Sequence, residues 1–287
     1  MFDFRYHIVS LVAVFLALGI GVVLGSMSAE RGVVTEQERA LIATMEKDFD
    51  NLRAENKQLN TIISADEAFW AGVVPLVVDG KLAGKNVAIV VTGAVDATTL
   101  KSLKTVIEQA GGVETSVTTF EGDLGLGDKA VKEKVAGIVG ASAGNTATLR
   151  SKALDAAAGW IVSGLNAKEL NNLAAEGFLK NEGVYDVPVQ AVLIIGGKVN
   201  GKGLSAENLD AVLIDSLNTQ NVVLAGAEIS TVKTSYIQTY KNLGLSTVDN
   251  LDMPAGQVCA VYLLGGQSGN FGTKATAERL MPEPLKF

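Results

Sequence analysis

Histidine and cysteine, the side chains at the centre of most catalytic triads and metal sites, are almost missing from this sequence. The 287 residues contain one histidine, His7, and one cysteine, Cys259. Because His7 lies at the extreme amino end and Cys259 has no second cysteine beside it, Ser-His-Asp and Cys-His triads, multi-histidine zinc sites and cysteine-rich metal frameworks are excluded. The groups that remain are carboxylates, Ser-Lys pairs, tyrosines and backbone amides. None forms a recognisable reaction centre, so we expect a protein that is not an enzyme and has no cofactor.

Four carboxylates lie at the ends of predicted elements or on exposed helical positions: Asp96, Asp123, Asp215 and Asp252. Carboxylates at such positions usually cap helices or keep the surface soluble. We therefore pair no two of them as an acid and a base.

One glycine-rich segment has the spacing of a phosphate-binding loop. Gly196, Gly201 and Lys202 reproduce G-x-x-x-x-G-K after a predicted strand, but Gly203 stands where the hydroxyl ligand of Mg²⁺ is needed. The alternative is an exposed turn, for which the polar residues between the two glycines are equally suited. Nucleotide binding is the weaker of these two interpretations.

Composition indicates contact with lipid and argues against contact with nucleic acid. The net charge is −7 and the isoelectric point is near 4.9, whereas nucleic-acid binders need clustered lysine and arginine. Hydrophobic residues make up 48% of the chain and charged residues only 19%, with a mean hydropathy of +0.28. This apolar surplus is too large for an ordinary soluble surface, so part of it is expected in a membrane.

The amino-terminal region contains an uncharged apolar run long enough to cross a bilayer. Ile8–Gly25 reads IVSLVAVFLALGIGVVLG, which is close to a hydrocarbon core in helical length. The alternatives are a signal peptide cleaved after the small residues of Ser26–Ala29, or a buried core helix. Arg5 precedes the run, while Glu30 and Arg31 cancel after it, so the amino end is expected in the cytoplasm and the rest of the chain outside.

A heptad pattern follows the apolar run. Its apolar positions alternate in steps of three and four, with one asparagine at an a position: Ile42, Met45, Phe49, Leu52, Asn56, Leu59 and Ile63. Asn56 favours two parallel strands in one register, and Asp48 at g faces Arg53 at the next e position of a partner. We call these seven residues the dimerisation seam and predict a parallel homodimer. The alternative is a single amphipathic helix that packs on the globular domain.

The chain therefore divides into three parts: a membrane anchor at residues 1–29, a coiled-coil stalk at 30–70, and an extracytoplasmic α/β domain with a glycine-rich tail at 71–287. The stalk would be roughly 50 Å long if it continues through Phe69. It would hold the domain away from the bilayer.

Short β-branched runs alternate with helical patterns after residue 71. The strand candidates that end in glycine are Val87–Gly93, Val192–Gly197 and Val222–Gly226. The weaker strand candidates are Val113–Phe120, Gly137–Gly140, Trp160–Ser163 and Leu245–Val248. Helices are predicted over Asp96–Ala110 and Ser205–Leu217. This alternation predicts a mainly parallel, doubly wound α/β domain, in which any ligand would lie at the carboxyl edge of the sheet.

Two blocks of sequence resemble a known family. The block from Asp3 to Gly25, DFRYHIVSLVAVFLALGIGVVLG, is similar to the amino terminus of actinobacterial MctB-type copper transport proteins, and Gly266–Gly272, GQSGNFG, resembles their tail motif. The resemblance implies a cell-envelope protein in copper homeostasis that forms or assists a channel. SteB-type members of the same family are linked to cell separation through a peptidoglycan hydrolase. The alternative function is therefore a non-catalytic scaffold or activator of such an envelope complex.

The residues themselves do not identify a copper site. Copper(I) sites use clustered sulfur ligands, sometimes with histidine, whereas the candidates here are scattered: Met1, His7, Met27, Met45, Met253, Cys259 and Met281. We expect Cys259 to be a small buried apolar residue. One apolar helix per chain also offers no polar lining for a pore.

Overall fold

The computed structural model describes residues 4–200 and 204–283, with side-chain surroundings given from His7 onward except at residues 28–35 and 37. The chain forms two compact units, Met1–Ala68 and Phe69–Phe287. Each is described by itself.

A single helix, α1, runs from Phe4 to Val78 and supplies the helical part of the first unit. By length and composition alone, two of its segments could cross a membrane: His7–Met27, with a mean hydropathy of 2.8 and no buried residues, and Glu38–Val78, with a mean hydropathy of 1.5. The predicted helix over the apolar run and the heptad region is confirmed. Its pairing with a second chain stays a prediction.

The second unit contains a seven-stranded sheet. The strands are β1 (Asn86–Val91), β2 (Val113–Thr119), β3 (Lys180–Gly183), β4 (Ala191–Ile195), β5 (Val223–Ala227), β6 (Ser246–Val248) and β7 (Asn270–Phe271). Their order in space is β3-β2-β1-β4-β5-β6-β7. All neighbours are parallel except β2 and β3. The mainly parallel α/β architecture is therefore confirmed.

Within the described residues of the second unit, seven helices connect the strands: α2 (Ala97–Gln109), α3 (Lys129–Ile138), α4 (Thr146–Ser163), α5 (Ala167–Ala175), α6 (Asp210–Asn218), α7 (Ile237–Asn242) and α8 (Pro254–Leu264). Side chains alternate along β1, so that Ala88 and Val90 join one buried apolar cluster with α4 and α6. Val87 and Ile89 join a second cluster with α2, α8 and Val78 of α1. Burial on both faces explains why the central strands are continuous apolar runs.

Two weak strand predictions are wrong. Gly137–Gly140 covers the end of α3 and the turn after it, and Trp160–Ser163 forms the last turn of α4. A short apolar run has the same composition in a buried helix as in a buried strand. In α4 the side chains of Ile161 and Val162 complete a helical face that is already buried at Leu154 and Ala158.

The predicted helix over Ser205–Leu217 begins later than expected, at Asp210. Ser205 does not cap it. Its hydroxyl accepts a hydrogen bond of 3.1 Å from the side chain of Asn208, and the backbone between them forms turns. Side chains of this type compete with helix by bonding locally.

Candidate functional site

The dimerisation seam is exposed along α1 in the single chain. Its six apolar side chains are each between 48% and 57% exposed. The side-chain amide of Asn56 donates a 2.9 Å hydrogen bond to the carbonyl oxygen of Leu52, within its own helix. Single exposed apolar residues are common on protein surfaces, but a continuous apolar stripe is typical of a surface that binds another apolar surface.

A cleft of about 250 Å³ lies at the carboxyl edge of the sheet in the second unit. Thr92 and Gly93 line it after β1, Phe120 after β2, and Gly197 and Lys198 after β4. Since the chain leaves β1 toward β2 on one side and β4 lies on the other, this is the topological switch point of the sheet. Ligands of open α/β sheets bind at such points, which is the edge that the sequence indicated.

Glycine is required where the ends of β1 and β4 meet. A Cβ atom on Gly93 would lie 2.3 Å from the carbonyl carbon of Gly196. The amide of Gly93 instead donates a 3.1 Å hydrogen bond to the carbonyl of Ile195, and the amide of Ala94 donates one of 3.0 Å to Gly197. The two strand ends are therefore joined by backbone contacts at the back of the cleft.

The segment with phosphate-loop spacing follows β4, and two amides of its described half are bonded to neighbouring backbone. The amide of Gly196 donates to the carbonyl of Ala227, and the amide of Lys198 donates to Thr234. A phosphate loop needs such amides turned toward the ligand. The second half of the match, Gly201, Lys202 and Gly203, lies outside the described residues.

A buried carboxyl group, Asp210, lies behind this cleft at the start of α6. Its side chain is completely buried, and its Oδ1 accepts a hydrogen bond of 2.6 Å from the Thr92 hydroxyl and another from the Tyr240 hydroxyl. Burial raises the pKa of Asp210 to about 6, although the Thr92 and Tyr240 hydrogen bonds oppose the shift. No local sequence pattern marks this group, because Thr92 and Tyr240 are far from Asp210 in the chain.

The four carboxylates singled out from the sequence are structural or exposed. Asp96 caps α2 by accepting a 2.9 Å hydrogen bond from the amide of Thr99, and this bond lowers the pKa of Asp96. Asp123 accepts from the amide of Gly125, and Asp252 accepts from Ser230. Asp215 is exposed on α6. The structure does not bring any of them together as an acid-base pair.

The glycine-aromatic segment Gly266–Gly272 is followed by Lys274, which forms an ion pair at the edge of the sheet. Just beyond it, Lys274 lies 2.6 Å from the buried carboxylate of Glu228, which follows β5. The amides of Thr273 and Lys274 donate to Asp249, which follows β6. A Cβ atom on Gly272 would lie 2.0 Å from the Oδ1 atom of Asp249. The segment is therefore built for close backbone approach.

Glu228 and Asp249 could have been noticed in the sequence. Each is a single charged residue placed directly after a buried strand. Such a residue must be paired or solvated where the strand ends. The partner of Glu228 is the Lys274 ammonium. This pairing depends on the tertiary fold, so no local sequence pattern indicates it.

The described part of the chain shows no cluster of histidine, cysteine and carboxylate side chains that marks a copper site. Among residues 4–200 and 204–283 no group of three or more histidine, cysteine, aspartate or glutamate side chains is positioned to hold a metal ion. The four described methionines, Met27, Met45, Met253 and Met281, are each 43% to 54% exposed. Met1 lies outside the described residues.

Cys259 is buried, as expected. Its Sγ atom lies 3.8 Å from the carbonyl oxygen of Leu280. Burial raises the pKa of the Cys259 thiol to about 12. The thiolate is the form that binds metal, so this side chain is a poor ligand at neutral pH.

Comparison with known proteins places these features in a family. The family described as "Copper transport outer membrane protein, MctB" matches residues 1–282. The chain is also similar to the copper transporters MctB of Mycobacterium bovis and of two strains of Mycobacterium tuberculosis. Each is 25% identical over 313 residues, covering 95% of this chain and 96% of the relative. The family that the sequence resembled is thereby confirmed, and the chain belongs to the MctB family of copper transport proteins.

Proposed function

We propose that this protein is a membrane-anchored, dimeric cell-envelope protein that serves copper homeostasis. The observation that carries the proposal is helix α1, which combines the uncharged segment His7–Met27 with an exposed heptad seam. The copper role comes from the relatives, which are named copper transporters. In this proposal the α/β unit is a doubly wound head, supported by the apolar clusters on both faces of its sheet.

The anchor is retained in the membrane in this proposal. The segment His7–Met27 is 21 residues long, which exceeds the 7 to 15 residues of a typical signal-peptide core. Arg5 on its amino-terminal side favours a cytoplasmic amino end. The stalk and the α/β unit are then extracytoplasmic.

The seam pairs two chains in parallel. Exposed side chains such as Phe49 and Leu52 become buried between the helices, which contributes about 25 cal/mol for each Å² of apolar surface removed from water. Asn56 meets its counterpart only when the two chains are parallel and in register. Asp48 of one chain then lies near Arg53 of the other, so charge complementarity favours the same arrangement.

Cysteine cross-linking tests this pairing directly. Ile63→Cys places a thiol in the seam, and Thr61→Cys places one at the f position on the opposite side of the helix. Cys259 is buried and can stay in both variants. In native membranes we expect mild oxidation to yield a disulfide-linked dimer with Ile63→Cys and not with Thr61→Cys. Equal cross-linking of both variants, or none, would contradict a parallel in-register seam.

Copper handling is proposed at the level of the assembly. In this proposal only His7–Met27 crosses the membrane, and this apolar span supplies no polar pore lining. Copper(I) also prefers clustered sulfur ligands. We therefore propose that the anchored dimer supports copper efflux together with an envelope partner. This proposal predicts that the purified protein in detergent binds no stoichiometric copper(I).

Deletion and complementation test the copper role. We expect a deletion strain to accumulate intracellular copper and to become copper-sensitive, with full rescue by the wild-type gene. Leu59→Asp in the seam should fail to rescue, whereas Thr61→Asp, an equally exposed control on the same helix, should rescue. Normal copper content with chained, unseparated cells would instead support the alternative, a scaffold or activator of a peptidoglycan hydrolase complex. A deletion strain normal in both respects would reject both functions.

A further inference from the structure

Three elements of the α/β unit meet at the completely buried carboxyl group of Asp210. The Thr92 hydroxyl comes from the end of β1, the Tyr240 hydroxyl comes from α7, and Asp210 itself opens α6. Both hydroxyls donate to the same oxygen, Oδ1. The other oxygen, Oδ2, is buried and has no hydrogen-bond partner within residues 4–200 and 204–283. An unpartnered oxygen of an ionised carboxylate is costly to bury.

The sheet is shaped to accept the ring of Tyr240. A Cβ atom on Gly196, after β4, would lie 1.9 Å from the Tyr240 hydroxyl oxygen. A Cβ atom on Gly226, in β5, would lie 2.5 Å from the ring. One glycine just after β4 and one in the neighbouring β5 thus form a slot, and the hydroxyl of the ring in this slot reaches Asp210. The contact between Tyr240 and Asp210 therefore requires glycine at both of these positions.

The charged and titratable groups near Asp210 come from the segment after β4, the turn before α6, and the start and middle of α7. Lys198 follows β4 and acts on Asp210 as an attractive charge, which opposes the effect of burial. Glu207 lies in the turn before α6, and its pKa is lowered mainly by hydrogen bonds from its own backbone and from Ser205. Burial, reinforced by the Asp210 charge, raises the pKa of Tyr236 to about 12 and holds that of Tyr240 well above its usual value. Both tyrosines therefore remain neutral donors, and Asp210 is the group that changes charge near neutral pH.

We propose that Asp210, Thr92 and Tyr240 form a proton-operated latch that holds the start of α6 against the carboxyl edge of the sheet and loosens as Asp210 ionises. Leu204 and Leu209 line the cleft and belong to the segment that leads into α6. Loosening this segment gives water access to the Oδ2 atom and widens the cleft. The device is a conformational switch in the head and does not depend on the proposed function.

The direction of the pH effect on latch opening follows from the different proton affinities of the closed and open forms. The pKa of Asp210 is raised from 3.8 to about 6 in the folded protein. Between these values the closed form binds more protons than the open form, so closure is favoured at low pH and is progressively lost as pH rises toward 6. From about pH 5 to about pH 7.5 the opening equilibrium constant should increase about tenfold if opening exposes the carboxyl group fully.

Hydrogen exchange of the full-length protein in lipid nanodiscs tests the latch. Amide protection in peptides covering Leu204–Leu213 is measured at about pH 5 and about pH 7.5 and corrected for the intrinsic exchange rate. We expect about tenfold lower protection at the higher pH in the wild type. Asp210→Asn, which carries no charge at either pH, should show no such change. Asp215→Asn, at an exposed position of the same helix, should behave as the wild type.

Thr92→Val provides an independent variant in case Asp210→Asn does not fold. It removes a hydrogen bond that favours the ionised carboxylate, so the pH midpoint of the protection change should move upward. Equal protection of the wild type at both pH values would overturn the proposal. It would also be overturned if Asp210→Asn kept the full pH dependence, or if Thr92→Val left the midpoint unchanged.

Discussion

Replacement of Lys274 by methionine should destabilise the α/β unit far more than loss of an ordinary surface charge. The Lys274 ammonium lies 2.6 Å from the Glu228 carboxylate, whose side chain is 0% exposed. Without Lys274, this carboxylate keeps one hydrogen bond, of 2.9 Å from the amide of Tyr236. Removing one partner of a buried ion pair costs about 3–5 kcal/mol. For a unit of this size that corresponds to a fall in Tm of about 6–20 °C.

The measurement uses tryptophan fluorescence of the full-length protein in detergent during thermal and urea unfolding. Trp70 and Trp160, the two tryptophans, both belong to the unit Phe69–Phe287, so the signal is free of contributions from the rest of α1. The matched control is Lys180→Met, which breaks a 2.7 Å ion pair with Glu121 whose side chains are 69% and 59% exposed. That change should cost at most about 1 kcal/mol.

The double variant Glu228→Gln/Lys274→Met separates charge from packing. Glutamine keeps an acceptor for the Tyr236 amide but carries no charge, so most of the lost stability should return. If Lys274→Met is as mild as Lys180→Met, the pair has no special role at this edge of the sheet. If the double variant is no more stable than Lys274→Met, the loss comes from packing, and the electrostatic argument is refuted.

Three further experiments test the geometry of the same unit. Gly272→Ala should lower the free energy of unfolding by about 1–3 kcal/mol, because its φ is +140° and the new methyl would lie 2.0 Å from an Asp249 oxygen; an unchanged Tm would contradict this. Cys259 in the native protein should react with iodoacetamide about 10³-fold more slowly than in the unfolded chain, because burial raises its pKa to about 12; equal rates by mass spectrometry would show that the thiol is accessible. Gly196→Ala should cost about 1–3 kcal/mol by overpacking against Tyr240, and Tyr240→Leu in the same chain should recover part of that loss in urea unfolding; no recovery would place the strain elsewhere.

The sheet was predictable because its central strands carry their own signal. β1 and β4 are short runs rich in β-branched residues and are buried on both faces, and the helices between the strands require parallel pairing. The same reasoning failed at Trp160–Ser163, because a four-residue apolar run does not distinguish a strand from the end of a buried helix. The helix over the heptad region was predictable from its periodicity. The pairing of this helix with a second chain stays a prediction.

The polar contacts of the head were not predictable from local patterns. Asp210 and Tyr240 are 30 residues apart, and Glu228 and Lys274 are 46 apart. Each pair forms because the parallel topology brings the carboxyl ends of several strands to one edge. The tail motif Gly266–Gly272 was recognised by resemblance, and its physical reason became clear only with the position of Asp249. The sequence shows the glycine of this contact, Gly272, but not its partner, Asp249, which lies 23 residues earlier in the chain.

The distance in sequence between Glu228 and Lys274 has a consequence for synthesis. A ribosome that stops after residue 228 and before residue 274 yields a polypeptide in which β1 to β5 are complete, but the Glu228 carboxylate at the end of β5 lacks Lys274 as its counterion. Such a fragment would spend more time unfolded, and unfolded chains are removed by cellular proteases. Polypeptides that lack Lys274 would therefore be degraded faster than the full-length chain. The ion pair thus links the survival of the polypeptide to synthesis of the segment that contains Lys274.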